Sequence, residues 1–167
     1  AFVYYLLHKP VGYVCTAQDP HEKKLVIQLV PKHPRVYPVG RLDKDTSGLL
    51  ILRNDGDSAM RLSHPRHAVA KTYEVLLDRP YTPALLTRLK RGVSLIEGRA
   101  AADAINMRTA KRIEIVIHQG WNRQIRRMLA ACGYSAVGLR RIAEGKLVLG
   151  TLEPGEYKKI SRDELTV

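Results

Sequence analysis

Acidic side chains are scarce in this chain. Twenty-eight lysines and arginines stand against 16 aspartates and glutamates, a formal charge of +12. The imbalance says nothing about fold, but it favours a polyanionic partner. An anionic membrane surface would also suit it, yet no basic amphipathic segment with an aromatic apolar face is present. Cysteines are equally sparse: Cys15 and Cys132 lie far apart and in no Cys-x-x-Cys pair. That argues against a disulfide scaffold and for two reduced, partly buried thiols in a cytoplasmic protein. There is no apolar run long enough to span a membrane and no signal-peptide pattern. Of the six histidines only His64 and His67 are close, and Pro65 between them breaks any helix that would stack them as ligands, so no metal site is expected. Also missing are a Ser-His-Asp order, a phosphate loop ending in Gly-Lys-Ser/Thr, internal repeats and a linker. The 167 residues read as one domain, or two closely fused lobes, spanning 1–167.

What the chain does have is organised around residues 40–57, GRLDKDTSGLLILRNDGD. Leu49 to Leu52 form a solid apolar run, the pattern of a strand buried in a sheet. Asp43 therefore stands in a loop that enters the core, where a carboxylate needs a cation or hydrogen bonds. Asp45 to Gly48 read as the turn beside it, and Asn54-Asp55-Gly56-Asp57 as a second turn, with Asp57 capping a short helix over 58–64. Upstream, residues 2–7 read as a strand. Residues 23–30 are a short helix or a strand, which periodicity does not decide. Pro31, Pro34 and Pro38 hold an irregular loop that leads into the motif.

Downstream, residues 70–78 alternate as a strand with Tyr73, Val75 and Leu77 on one face. Thr82-Pro83 predicts a helix start, Leu85, Leu86 and Leu89 its apolar stripe, and Gly92 its end. Two strands are expected near 93–97 and 99–108, and a third in KRIEIVIHQG with Ile113, Ile115 and Ile117 facing the core. In WNRQIRRMLAACG, Asn122 is the expected cap, and Ile125, Met128, Leu129 and Cys132 make the helical core stripe. Gly133 is its left-handed stop. Arg123, Arg126 and Arg127 crowd the opening turns, against the helix dipole, a local cost that points to another use for them. A turn at 153–156, a strand at 156–160 and a capping box from Ser161 to Glu164 close the chain.

GRLDKDTSGLLILRNDGD, with HKPVGYVCT before it and KTYEV and NRQIRRM after it, resembles the RNA pseudouridine synthases, in the branch that modifies bacterial small- and large-subunit ribosomal RNA. The matching segments occur in family order from about residue 8 to residue 155. The resemblance implies an α+β fold, a mixed, largely antiparallel sheet flanked by helices with a central RNA-binding cleft. It implies isomerisation of specific uridines to pseudouridine, in ribosomal RNA, by a monomer without cofactor or metal, because the leaving uracil is also the incoming nucleophile.

Carried over residue by residue, Asp43 matches the essential aspartate, acting as nucleophile at C1′ or as base at C2′. Tyr73 matches the tyrosine that stacks on uracil, and Arg126 the arginine that pairs with the aspartate. Arg41 helps hold a nucleotide that must leave its stack to react. Arg123 and Arg127 are expected to contact RNA, and Leu139 to line the base pocket. This chain departs from the branch at Gln119-Gly120-Trp121, where an acidic residue, glycine and a basic residue are usual. Trp121 is either a stacking platform or a buried anchor. The branch's small RNA-binding domain does not precede the first motif. With no initiating Met, the expectation is a processed or trimmed chain. Two other readings stay open: the same chemistry on transfer RNA, and an RNA-binding or ribosome-assembly factor that keeps the fold without catalysis.

Overall fold

Alternation of apolar and polar side chains, broken by Pro, Gly and Asn-Asp-Gly turns, dictates a strand-rich chain with few helices, and a computed structural model gives one. It describes residues 1–16, 19–56 and 69–165. The expected Asp57 cap, the helix over 58–64 and the His64/His67 pair lie outside the described residues. The chain forms two compact units: one from residues 1–69 and 141–167, the other from 70–140.

In the first unit the apolar run becomes β3 (Ser47–Arg53), buried along its whole length. It pairs antiparallel with β1 (Tyr4–Lys9), which sits two residues later than the sequence suggested and carries His8 and Lys9 into the interior at its end. β2 (Tyr37–Val39) also lies antiparallel on β3. The last strand, β11 (Tyr157–Lys159), covers the other side of β1, and its Tyr157 ring meets Tyr5 edge-on at 5.2 Å. The ambiguous segment 23–30 is neither strand nor α-helix: Val26–Leu29 make one 3-10 turn, held by an isolated bridge between Val14 and Leu25. Tyr4, Leu6, Leu49, Ile51, Leu147, Leu149, Ile160 and Leu165 share one core. The closing capping box forms as expected, with Ser161 N–H donating to Glu164 Oε1 and Glu164 N–H to Ser161 Oγ; it opens α3 (Arg162–Leu165).

In the second unit β4 (Lys71–Leu77) pairs antiparallel with β8 (Arg112–Ile117), and β8 with β7 (Ala104–Thr109). Where two strands were expected over 93–108, three form, because Ile96-Glu97 turns the chain back on itself: β5 (Val93–Leu95) and β6 (Gly98–Ala100) make a hairpin, and β7 follows. Helix α1 (Pro83–Arg91) begins as predicted, with Thr82 Oγ1 accepting from Leu85 N–H, and ends at Gly92. Val75, Leu77, Leu85, Leu89, Ile113, Ile115 and Ile117 bury their side chains in one cluster with Ile125, Met128 and Leu129 of α2 (Gln124–Ala131). Strand β9 (Ala136–Glu144) runs out of this unit into the first, where Leu147 and Val148 (β10) fold back on it.

α2 starts one residue later than the sequence suggested. Arg123, not Asn122, is its cap, with φ 47°, and no side chain caps it. The buried Gln124 takes over: its Oε1 accepts from Trp121 N–H and its Nε2 donates to Gln119 Oε1 at 2.8 Å, closing the turn before the helix begins. A non-glycine residue with positive φ is uncommon and costs on the order of 1–2 kcal/mol, so the local packing must hold Arg123 there.

Candidate active site

The loop between β2 and β3 does not bury its carboxylate. Leu42, Thr46 and Ser47 are the residues that go inside, while Asp43 is half-exposed and Arg41, Lys44 and Asp45 are exposed. Thr46 N–H donates to the Asp43 carbonyl at 3.0 Å, so Asp43 to Thr46 form a tight turn with Asp43 at its start. The expectation that this carboxylate sits in the core is thus corrected: the buried run of β3 extends back to Thr46, but the turn lifts Asp43 off that path.

Residues 8–15 cradle this turn. The Lys44 carbonyl accepts Gly12 N–H at 2.8 Å and the Lys9 ammonium at 3.4 Å; Lys9 Nζ also donates to the Pro10 carbonyl at 2.8 Å. On the other flank, Cys15 Sγ lies 3.3 Å from both Leu42 N and Leu42 O. Outside, the Lys44 ammonium pairs with Glu22 at 3.0 Å. Lys9 is wholly buried. Burial pushes its pKa down from 10.5 to about 8, against the pull of Cys15, Asp43 and Asp45. Burial also pushes the Cys15 thiol up, keeping the proton that Leu42 O receives. A buried cation held on carbonyls beneath an acidic turn creates a positive potential there that bulk water screens little.

Beneath β3, Gly48 has φ +119°, and a Cβ at that position would sit 2.2 Å from the Arg141 carbonyl. Arg141 is buried and donates from Nε to the Leu49 carbonyl at 2.9 Å. The Thr-Ser-Gly step is therefore a close backbone approach as well as a turn.

The other sequence-predicted residues belong to the second unit. Tyr73 is half-buried on β4, opposite Ile115, and packs against the core that contains the buried Leu139. Arg126, half-buried on α2, donates from one terminal nitrogen to the Ala136 carbonyl at 3.3 Å. Arg123 is exposed. Arg127 makes a fork on Glu97 at 2.9 and 2.6 Å and donates from Nε to the Asn122 carbonyl, tying α2 to the β5–β6 hairpin. Trp121 is half-buried and packs on the same core with its ring beside Gly98. Sequence reasoning missed Lys9 and Cys15 as supports of the Asp43 turn. The available signal was a lysine at the end of an apolar strand immediately before Pro10. Among the described residues there is no group of three or more His, Cys, Asp or Glu side chains placed to hold a metal ion. No helix among them is long and apolar enough to cross a membrane.

The fold is α+β with a largely antiparallel sheet, and it presents an aspartate on a braced turn over a buried cation. The chain belongs to the RNA pseudouridylate synthase family, whose profile matches residues 3–131. It is 39% identical over 170 residues to ribosomal large subunit pseudouridine synthase B of Bacillus subtilis, covering 98% of this chain and 70% of that protein. It is 33% identical over 166 residues to ribosomal small subunit pseudouridine synthase A of Yersinia pestis, covering 97% and 71%. A crystal structure of a pseudouridylate synthase superposes with a TM-score of 0.88 at 30% identity, covering 98% of this chain and 72% of that one. The chain is accordingly an enzyme that isomerises uridine in RNA to pseudouridine.

Proposed function

We propose that the substrate is ribosomal RNA, that the reaction takes place in the cytoplasm, and that Asp43 is the reacting carboxylate. The observation that carries this reading is the Asp43 turn itself. A half-exposed carboxylate is fixed at the start of a turn whose carbonyls are held by buried Lys9, Gly12 and Cys15. A binding module would not need such bracing beneath one acid on a chain whose charge attracts phosphates. A carboxylate held in this way is able to attack C1′ or to take a proton at C2′.

Tyr73 and Arg126 keep the roles that the family resemblance gives them, and Arg41 and Arg123 supply exposed cations for the phosphates. Leu139 is proposed as apolar lining for the base, its burial being equally suited to packing. Arg127 serves RNA only indirectly, since its fork is filled by Glu97. The ribosomal assignment draws on relatives named for both ribosomal subunits.

Asp43→Asn is the deciding variant. It should bind RNA as the parent does and form no pseudouridine, measured as tritium release from 5-tritiated uridine in unmodified ribosomal RNA. Normal release would remove Asp43 from its role. Release from transfer RNA but not ribosomal RNA by the parent enzyme would overturn the choice of substrate.

A further inference from the structure

Between Glu22 and Asp43 the sequence contains no acidic residue, yet it contains Lys23, Lys24, Lys32, His33, Arg35 and Arg41. Most of this segment is laid out on the surface of the first unit. Pro31 through Arg35 are all exposed, Val36 alone turns inward to anchor the loop, and Tyr37 is again exposed at the start of β2. The Arg35 guanidinium lies over the Tyr37 ring, 5.3 Å from its centre. A second pair of the same kind, Lys24 over Tyr13 at 5.8 Å, occurs in the same unit. Two residues past Tyr37 the strand ends, and the chain reaches exposed Arg41 and then Asp43.

Bare tyrosines are uncommon on a surface with nothing to cover them, and Tyr37 keeps 48% of its area in water. Its ring carries a guanidinium over one face, so the two form a preassembled cation–aromatic pair. Cation and ring attract each other and hold the stack together before any ligand arrives. That combination suits a single-stranded nucleotide. Bases stack on tyrosine rings and on guanidinium planes, and flanking cations take the phosphates. A peptide partner of acidic character would use the cations but would leave the stack without purpose.

We propose that residues 32–41 form a second RNA-contacting ribbon, in which the Arg35–Tyr37 stack receives an unpaired base of the substrate and Lys32 and Arg41 its phosphates. This rests on the proposed reading that the enzyme's substrate is a structured RNA, and it adds a contact outside the reacting loop. The ribbon enters β2 and leads directly into the Asp43 turn. A base held at Tyr37 and the nucleotide processed at Asp43 are therefore read by one continuous stretch of chain, six residues apart. The unpaired base selects single-stranded flanks over duplex.

The test is RNA affinity in an Asp43→Asn background, which separates binding from chemistry, using transcribed unmodified ribosomal RNA and a short oligouridine as probes. Tyr37→Ala and Arg35→Ala should each weaken both probes about 5- to 150-fold, the range expected for one lost stacked base. Tyr37→Phe should bind as the parent. Lys32→Ala should flatten the dependence of log affinity on log salt by about one unit, as for one lost phosphate-neutralising charge. To guard against variants that fail to fold, RNA carrying 4-thiouridine is cross-linked to the unsubstituted enzyme, and the attached peptide should include Tyr37. Unchanged affinity for both probes in folded variants, or cross-links that fall only outside residues 31–41, would overturn the proposal. If Asp43→Asn still makes pseudouridine, the reading of Asp43 fails while the affinity comparison at Tyr37 stands on its own.

Discussion

Cys15 and Leu42 are joined twice: one sulfur atom lies 3.3 Å from both the amide nitrogen and the carbonyl oxygen of the same residue. Leu42 is the residue immediately before Asp43, so the thiol fixes the peptide unit that aims the carboxylate. Cys15→Ser keeps a donor and an acceptor and should retain most activity. Cys15→Val leaves a buried Leu42 N–H without its acceptor, which costs on the order of 1–3 kcal/mol of stability. If Asp43 is the reacting carboxylate proposed above, Cys15→Val should lower kcat more than it raises KM, since the loss falls on the position of that group. Steady-state kinetics on unmodified RNA, with thermal melts alongside, separate the two effects. Equal loss in Ser and Val variants would mean that the contact is only packing.

Lys9 makes a pH prediction with a definite sign. Its proton is held with a pKa of about 8 in the folded protein against 10.5 in an ordinary lysine, because burial disfavours the charge. Between those values the unfolded chain binds more protons than the folded one, so this group makes stability rise with pH over that window. Activity should move the other way. As Lys9 loses its proton above pH about 8, the positive potential beneath the Asp43 turn disappears, and turnover should decline while the protein becomes no easier to unfold. Lys9→Arg, which stays charged, should carry activity to higher pH. A decline of identical shape in Lys9→Arg would assign it to another group.

Gly48 admits no side chain. Its φ of +119° disfavours every L residue, and a Cβ would collide with the Arg141 carbonyl at 2.2 Å. Gly48→Ala should cost roughly 3 kcal/mol or more, as backbone strain and overpacking add. Urea titration of the purified variant measures this, and a loss below about 1 kcal/mol would show that the approach of the two backbones is soft.

Arg127 and Glu97 should behave as a unit. Glu97→Gln and Arg127→Ala each release the β5–β6 hairpin from α2, so both should lower the melting temperature by similar amounts. The double variant should add little further. The Arg127 guanidinium holds the Glu97 carboxyl below its usual range, so this support is present above that range and is lost as pH falls through the lowered value. An RNA-affinity loss confined to Arg127→Ala would instead make Arg127 a direct RNA contact.

Local signals carried the sequence reading where one residue decided the outcome. Thr82-Pro83 and Gly92 set the ends of α1, and Ile113, Ile115 and Ile117 fixed the inward face of β8. The Asp43 motif was legible as well, but its surroundings were not. Burial of Lys9 depends on β1 ending beneath a loop 35 residues away in sequence, and no local pattern encodes that. Gly48 looked like a turn glycine because the carbonyl it must avoid belongs to Arg141. Asn122 was the better cap by propensity, but buried Gln124 displaced it by bonding Trp121 N–H and Gln119. Periodicity also gave no means of choosing between helix and strand for 23–30, where a single 3-10 turn satisfies neither pattern.

The first unit is assembled from the two ends of the chain, residues 1–69 and 141–167, whereas the second is one uninterrupted stretch, 70–140. During synthesis the second unit is complete on its own while β3 still lacks Arg141, and β1 still lacks β11. Domains generally fold as they emerge, so β1 and β3 gain their last partners, β11 and Arg141, only after the second unit has been made. A nascent chain therefore has the arginine-bearing helix of its second unit complete while the sheet of its first unit still lacks an edge, and removal of residues 141–167 should destabilise β1 and β3 even though Lys9, Cys15 and Asp43 are all retained.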